Sequence, residues 1–327
     1  MIRYIHTILI SALFLFGCKQ QTVQQKKFSE AFFAMDTRVE ISAYTADEDR
    51  FRKAVEEIYS ECTRIEELFS TTTKSSYISE LNNRKTPYKA YLPPEAMKLL
   101  TTAIAYSEET KGLFDVTIAP VKWLWGLGTG QTPAYPDSNA LAAKLKCVGW
   151  KKISIQGDTV FFTDSSAALD LGGIAKGYSL TKFKEIMLKN GINSFLVNAG
   201  GDVLLGDPKP DGQPWRIGIK HPRGGEKEIM VIPASNTCII SSGDYERFFF
   251  HKGERYHHIF NPFTGMPTRG IISSTVVASD PVRAVIYSKV MMLKGVFKLD
   301  NLPDGIERAV LIDESLNISE RSINDKQ

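Results

Sequence analysis

The sequence shows no strong excess of charge of either sign. Its 327 residues include 40 lysines and arginines against 37 aspartates and glutamates, and the formal net charge is +3. No basic segment interleaved with aromatic residues is present either, so a nucleic-acid partner is not expected. Hydrophobic residues make up 43% of the chain, which is enough for one large core or two smaller ones.

The common sequence signatures of metal and nucleotide sites are also missing. The four cysteines, Cys18, Cys62, Cys147 and Cys238, form no Cys-x-x-Cys pair and have no cysteine–histidine spacing typical of zinc. Three of them follow the N-terminal segment, so one disulfide is conceivable, although buried free thiols are the simpler interpretation. The sequence contains no Walker loop, no Gly-x-Gly-x-x-Gly motif and no repeat of fixed period.

The first 17 residues predict a lipoprotein signal peptide. A basic start is followed by a nearly continuous apolar run from Ile5 to Phe16, which is too short to cross a bilayer comfortably. Leu15-Phe16-Gly17-Cys18 resembles a bacterial lipobox, so we expect cleavage before Cys18 and lipid on its thiol. The alternative is an uncleaved anchor followed by an ordinary cysteine. Lipidation would anchor the chain in the bacterial cell envelope, outside the cytoplasm, with residues 18–27 as a flexible tether.

The remaining residues, 28–327, predict an α+β fold. Strand-like segments follow one another in groups and do not alternate regularly with helices, which favours antiparallel sheets over a doubly wound parallel sheet. Residues 28–44 predict an edge strand with a loop. Apolar residues at helical spacing predict helices over residues 47–69, 94–110 and 281–292, and a further helix follows residue 172 and reaches about Lys189. Residues 70–92 are a predicted loop, and so is the Gly- and Pro-rich segment that follows Gly126 and runs to Asp137.

Titratable groups are concentrated in residues 241–262. Two apolar segments flank His251-Lys252-Gly253-Glu254, and this pattern predicts a β-hairpin. Because side chains alternate along a strand, His257 and His258 should point to opposite faces, so that one of them faces a cleft. The alternative is an exposed hairpin whose charged face is solvated.

Three turns contain glycine: residues 170–177, residues 198–202 and Gly243-Asp244. The first is a predicted strand–loop–helix junction. Its glycines allow close backbone approach, the helix start offers free N–H groups, and Lys176 adds a full positive charge. These are the physical requirements of a phosphate site, although glycines at a helix start often serve the turn alone.

These segments together resemble the FAD:protein FMN transferases, the ApbE-type flavin transferases. The matching motifs are DLGGIAKG at residues 170–177, NAGGD at 198–202, SGDYERF at 242–248, YHHI at 256–259, FDVT at 114–117 and LWG at 124–126. They follow the family's order and span nearly all of residues 28–327, which would form the flavin transferase domain. The resemblance implies a T-fold-like architecture of two mixed lobes, with largely antiparallel sheets, packed helices and an FAD cleft between the lobes.

The resemblance also implies a reaction. A threonine of an exported target protein would accept FMN from FAD as a phosphoester, and AMP would leave, with magnesium assisting attack on the pyrophosphate. His258 would be the base that activates the threonine. Lys176 and the Gly172-Gly173 turn would hold the pyrophosphate. The contacts to FAD implied by the resemblance are Met35, Thr72, Phe114, Asp115, Val116, Asp170, Lys176, Glu246 and His257.

The implied magnesium site departs from the family pattern. The family ligands are an aspartate, a threonine four residues later and a backbone carbonyl, and they fall on Val285, Lys289 and Gly173. Valine offers no oxygen ligand and an ammonium group repels a cation. We therefore expect little or no magnesium binding in the absence of FAD.

Three hypotheses about function follow. The first is a working FAD:protein FMN transferase with an altered metal site. The second is an FAD-binding or FAD-hydrolysing relative with impaired transfer. The third is a non-enzymatic solute-binding lipoprotein of the envelope, which accounts for the export signal but not for the polar motifs.

Cys18→Ala should release the protein from the membrane fraction, because the thiol is the expected attachment point of the lipid. Fractionation of cells, together with mass spectrometry of the mature N-terminus, measures this. Unchanged membrane association with an uncut N-terminus would contradict the signal-peptide assignment.

Overall fold

The computed structural model describes residues 24–84, 88–225, 228–294 and 302–323. The predicted signal peptide and Cys18 lie outside the described residues. The first strand begins at Lys26, within the last part of the predicted tether. None of the helices within the described ranges is both long and apolar enough to cross a membrane.

Helices and strands alternate in groups along the described chain. The α-helices are α1 (Glu48–Phe69), α2 (Tyr77–Asn82), α3 (Pro94–Glu109), α4 (Ala119–Trp125), α5 (Ser138–Leu145), α6 (Gly172–Lys189) and α7 (Pro281–Lys294). The strands up to the middle of the chain are β1 (Lys26–Ala34), β2 (Thr37–Thr45), β3 (Lys89–Tyr91), β4 (Ile153–Gln156), β5 (Thr159–Phe162), β6 (Ser194–Ala199) and β7 (Asp202–Leu205). The later strands are β8 (Trp215–Ile219), β9 (Met230–Ala234), β10 (Cys238–Gly243), β11 (Phe248–His251), β12 (Glu254–His257), β13 (Ile271–Ala278), β14 (Arg308–Asp313) and β15 (Ile318–Ser322).

One eight-stranded sheet carries the fold, in the order β1-β2-β6-β7-β10-β13-β14-β15. Every neighbouring pair in it is antiparallel. Three smaller antiparallel sheets accompany it: β3-β5-β4, β8-β9 and β11-β12. The predicted α+β class with largely antiparallel sheets is therefore confirmed.

Both faces of the large sheet are covered near its centre. Along β13 every residue is buried, and Val276 packs into the core that α1, α6 and α7 build on one face. Its neighbour Val277 points to the opposite face, where the β8–β9 hairpin contributes Trp215 and Ile217. Because side chains alternate along a strand, the apolar residues of β13 contribute to two cores, one on each face of the sheet.

The predicted helix over residues 47–69 corresponds to α1. Asp47 caps it by accepting a hydrogen bond from the Arg50 N–H at 3.0 Å, and Phe51, Ile58 and Ile65 lie on its buried side.

The predicted free thiols are also confirmed, because Cys62, Cys147 and Cys238 are buried and unpaired with one another.

The prediction of a loop over residues 70–92 is wrong in part. This segment contains α2, whose first turn is capped by the Ser76 hydroxyl, and β3, which pairs with β5. The loop predicted after Gly126 and up to Asp137 is confirmed, and it follows α4, whose C-cap Gly126 is left-handed with φ of 71°. Residues 28–44, predicted as an edge strand with a loop, form two paired strands. Short elements such as α2 and β3 depend on tertiary partners, so local periodicity does not reveal them.

Gly177→Ala should destabilise the fold although alanine favours helices by about 0.5–1 kcal/mol over glycine. A Cβ at this position of α6 would lie 2.6 Å from the Pro281 carbonyl oxygen and 2.6 Å from Val282 Cα, so α7 would have to move away. We expect the free energy of unfolding in urea to fall by about 1–3 kcal/mol. Leu188→Ala, at an exposed position of the same helix, is the control and should change it by less than about 0.5 kcal/mol. Unchanged or increased stability of Gly177→Ala would contradict this account of the contact between α6 and α7.

Candidate active site

A cavity of about 360 Å³ lies where the first turn of α6 meets α4, the end of β10 and the segment after β12. This volume is within the usual range for small-molecule sites, about 300–1,000 Å³. Apolar side chains on its wall include Phe114, Ile118 and Leu127. The charged side chains on the same wall are Asp36, Asp115, Lys122, Asp170, Lys176, Asp202, Glu246, Arg247 and Lys289.

Asp170 fixes the start of α6. One of its oxygens accepts the Gly172 N–H at 2.8 Å, and the other receives the Lys122 ammonium at 2.6 Å. Burial alone would raise the pKa of this carboxyl group, but Lys122 and the Gly172 N–H hold the pKa below its usual value. Asp170 is therefore a carboxylate tied to protein partners at the edge of the cavity.

The two glycines at this helix start are required by space. A Cβ on Gly173 would lie 2.9 Å from a ring carbon of Phe114, and a Cβ on Gly172 would lie 2.9 Å from an oxygen of Asp170. The backbone can approach the cavity closely only because these side chains are absent. The first N–H groups of a helix and the positive end of its dipole favour an anion there.

Lys176 stands one turn further along α6 and pairs with Asp202 at 3.2 Å. Its side chain keeps 45% of its surface exposed, whereas Asp202 is buried. Gly200 lies in the turn just before Asp202. This turn can pass close to Thr37 only because Gly200 has no side chain, since a Cβ there would lie 2.1 Å from the threonine hydroxyl oxygen. The second glycine turn of the sequence therefore supplies the partner of Lys176.

The predicted hairpin is present as β11 and β12, paired from Phe248–His257 to His251–Glu254. Lys252 and Gly253 form its turn with φ of 49° and 81°, which is typical of a two-residue hairpin turn. Arg223 and Arg255 pair with the buried Asp244 just before the hairpin, at 2.7 and 3.4 Å. These ion pairs hold the third glycine-containing turn.

His257 and His258 have different environments, as predicted. His257 is buried, its Nδ1 accepts the Ile259 N–H at 3.3 Å, and its Nε2 therefore donates to the Thr268 carbonyl at 2.9 Å. His258 lines the cavity, and its Nδ1 is buried without a hydrogen bond to any described residue. Burial lowers the pKa of His258 well below its usual value, and the nearby His257, Lys289 and Arg247 lower the pKa further. A neutral imidazole facing a cavity can accept a proton.

The cavity brings together most of the residues that the sequence singled out. Met35, Phe114, Asp115, Asp170, Gly173, Lys176, Glu246, His258 and Lys289 line it. Four others, Thr72, Val116, His257 and Val285, are not among the residues on its wall. The Thr72 hydroxyl lies 3.1 Å from the Ser70 hydroxyl, and Val116 and Val285 are buried in the main core.

Asp115 lines the cavity, but both oxygens of its carboxylate accept hydrogen bonds from the backbone. One oxygen accepts the Thr117 N–H at 2.8 Å and the other accepts the Trp150 N–H at 2.9 Å. Burial raises the pKa of Asp115, although these hydrogen bonds act in the opposite direction. The carboxylate thus joins the loop before α4 to the residues after α5.

Lys122 is a charged cavity residue that the sequence analysis did not identify. It lies on α4, between the FDVT and LWG motifs of the resemblance, in a helix too short to show clear periodicity. Its pairing with Asp170 joins residues 48 positions apart. The lysine three residues before the tryptophan of LWG is the only local signal, and it has no meaning until the partner is known.

The residues at the implied magnesium position do not fit that ion. Val285 is fully buried, and the Lys289 ammonium donates to the Val285 carbonyl at 3.0 Å. Burial lowers the pKa of Lys289 to about 8. Within the described ranges, no group of three or more His, Cys, Asp or Glu side chains could hold a metal ion.

A helix start with close-approach glycines, nearby lysines and a neutral histidine on the same cavity wall suits a phosphate-bearing ligand. The model of the ApbE family matches residues 35–308, and the chain belongs to this family. Among its relatives, the FAD:protein FMN transferase of Vibrio cholerae is 29% identical over 234 residues, covering 71% of this chain and 70% of the relative. The FAD:protein FMN transferase of Escherichia coli is 26% identical over 301 residues, covering 88% and 86%.

Solved structures show the same fold. The crystal structure of the ApbE protein of Thermotoga maritima superposes with a TM-score of 0.84 and 32% identity, over 91% of this chain and 97% of that one. The flavin transferase ApbE from Vibrio cholerae superposes with a TM-score of 0.80 and 25% identity, over 91% and 97%. The α+β architecture described above is therefore that of ApbE proteins.

The His258 imidazole should titrate below the value of about 6.5 that is usual for histidine. Its charged form is disfavoured, so protonation requires a more acidic solution, and the ring stays neutral at pH 7 in the ligand-free protein. NMR of the imidazole resonances across pH, assigned by their loss in His258→Gln, measures the midpoint. A midpoint at or above 6.5 would show that the buried environment does not act on His258 as described.

Proposed function

We propose that this protein is an FAD:protein FMN transferase, which moves FMN from FAD to a threonine of a target protein and releases AMP. The observation that carries the proposal is the cavity itself. Its wall includes the start of α6, Lys176 and His258, whose buried Nδ1 has no hydrogen-bond partner among the described residues. Membership of the ApbE family and the names of its relatives support the same activity.

The reaction needs one base and one anion-binding surface. The threonine hydroxyl gives its proton to His258 as its oxygen forms a bond to the FMN phosphorus. The bond between that phosphorus and the bridging oxygen breaks, and the bridging oxygen leaves on AMP. The Gly173 N–H group, together with Lys176, opposes the negative charge that develops on the phosphates. His258 then releases its proton to solvent.

The target of the transfer is proposed to be an exported protein. The lipobox-like segment ending at Cys18 supports this, since a lipid-anchored enzyme of the cell envelope would meet exported substrates. FAD is the small-molecule substrate. The acceptor is defined only by its chemistry, a threonine hydroxyl that can reach the open side of the cavity.

A second candidate function is FAD binding or hydrolysis without efficient transfer. Lys289 favours it, because an ammonium group occupies the position where the family pattern has an oxygen ligand for magnesium. In that case water, not threonine, attacks the same phosphorus, and the products are FMN and AMP. A third function, as a non-enzymatic solute-binding lipoprotein, does not account for the charged residues that line the cavity.

Incubation of the mature protein with FAD and an exported threonine-bearing acceptor separates these functions. Release of AMP together with a mass increase of the acceptor by FMN supports transfer. AMP with free FMN identifies a hydrolase, and retention of intact FAD identifies a binder. Replacing the acceptor threonine by valine is the control, and it should abolish the mass increase without affecting FAD binding.

His258→Gln should slow transfer by about a hundredfold to ten-thousandfold, which is the usual contribution of a positioned base. FAD affinity should stay within a few-fold of the unaltered protein, because the proposed role begins after FAD has bound. Single-turnover transfer rates and calorimetric titration with FAD measure the two effects separately. Equal losses of transfer rate and FAD affinity, or an unchanged transfer rate, would show that His258 is not the base.

A further inference from the structure

Lys289 presents a positive charge to the cavity from α7. Its side chain is partly buried, and its ammonium donates to the Val285 carbonyl one helical turn earlier at 3.0 Å. Lys289 lines the same cavity as Gly173 and Lys176. It is also close enough to Asp202, Lys176 and Asp170 for their charges to act on it. The ammonium therefore faces the region where the start of α6 favours an anion.

The other lysines of the cavity already have carboxylate partners. Lys122 pairs with Asp170 at 2.6 Å, and Lys176 pairs with Asp202 at 3.2 Å. Lys289 forms no ion pair with a carboxylate in the described part of the chain, and a carbonyl neutralises no charge. A partly buried ammonium without a counter-ion is costly, and an anionic ligand would reduce that cost.

The surroundings of Lys289 also exclude the usual way of neutralising a pyrophosphate. Magnesium requires several hard oxygen ligands at short distance. Val285 provides none from its side chain, and its carbonyl is already engaged by Lys289. A divalent ion at this position would stand against an ammonium group, and the two charges would repel each other.

We propose that the Lys289 ammonium takes the place of a divalent cation in this site and binds the FAD pyrophosphate directly. FAD then binds without magnesium, and the charge of the pyrophosphate is met by Lys289 together with Lys176 and the N–H groups of α6. This inference rests on the proposed function, because it assumes that FAD is the ligand.

Calorimetric titration of the mature protein with FAD, in EDTA and in excess magnesium, tests the proposal. The unaltered protein should bind FAD equally well in both solutions. Lys289→Thr, which installs the side chain of the family pattern, should weaken FAD binding in EDTA by about tenfold to a hundredfold, the usual range for losing a charged hydrogen bond. Riboflavin has no phosphate, so its affinity should stay nearly constant.

Lys294→Thr is the matched control. Lys294 is an exposed lysine of the same helix and does not line the cavity, so the variant removes an equal charge and should bind FAD like the unaltered protein. Lys289→Met keeps the length of the side chain without its charge, and it replaces Lys289→Thr should the threonine variant unfold. The comparison of EDTA with magnesium on the unaltered protein needs no variant at all.

The outcomes separate the inference from the function on which it rests. FAD binding by the unaltered protein only in magnesium would overturn the role of Lys289 and leave the proposed transferase intact. So would FAD affinity in EDTA that is unchanged in the Lys289 variants. Absence of FAD binding in both solutions would overturn the proposed function itself.

Discussion

The contact among Lys122, Asp170 and Gly172 determines where the site forms. Asp170 receives the Lys122 ammonium at 2.6 Å and the Gly172 N–H at 2.8 Å, so it joins α4 to the first turn of α6. Because hydrogen bonds to ionised groups are stronger than those between neutral groups, this buried junction holds both elements in one position. Phe114 packs against Gly173 beside it. Without Asp170, the lysine would lose its partner and the start of α6 would lose its anchor.

The second constraint is the close approach of α6 and α7. Gly177 permits it, since any side chain there would collide with Pro281 and Val282. The approach brings Lys289 of α7 to the same cavity as Lys176 of α6. The large sheet supports both helices through a shared core. The electrostatic character of the site therefore depends on a packing contact that itself carries no charge.

The sequence predicted those features whose signals are local. The glycines at residues 172 and 173, the hairpin turn at Lys252-Gly253 and the different faces of His257 and His258 follow from backbone and strand rules. Lys122 and Asp202 gain meaning only from partners far along the chain, so they could not be assigned roles in this way. The short α2 and α4 were missed for the same reason: their stability comes from tertiary contacts more than from their own periodicity.

In the proposed function, one cavity holds the FAD pyrophosphate at the start of α6 and presents the reacting phosphorus to His258. A crystal structure of the mature protein with FAD, grown in EDTA, would reveal whether FAD binds in this way. We expect the pyrophosphate to lie among the Gly173 N–H group, Lys176 and Lys289, with the His258 imidazole free to face the acceptor side of the FMN phosphorus. FAD bound with its pyrophosphate away from α6, or with His258 buried behind the flavin and out of reach of an acceptor, would contradict it.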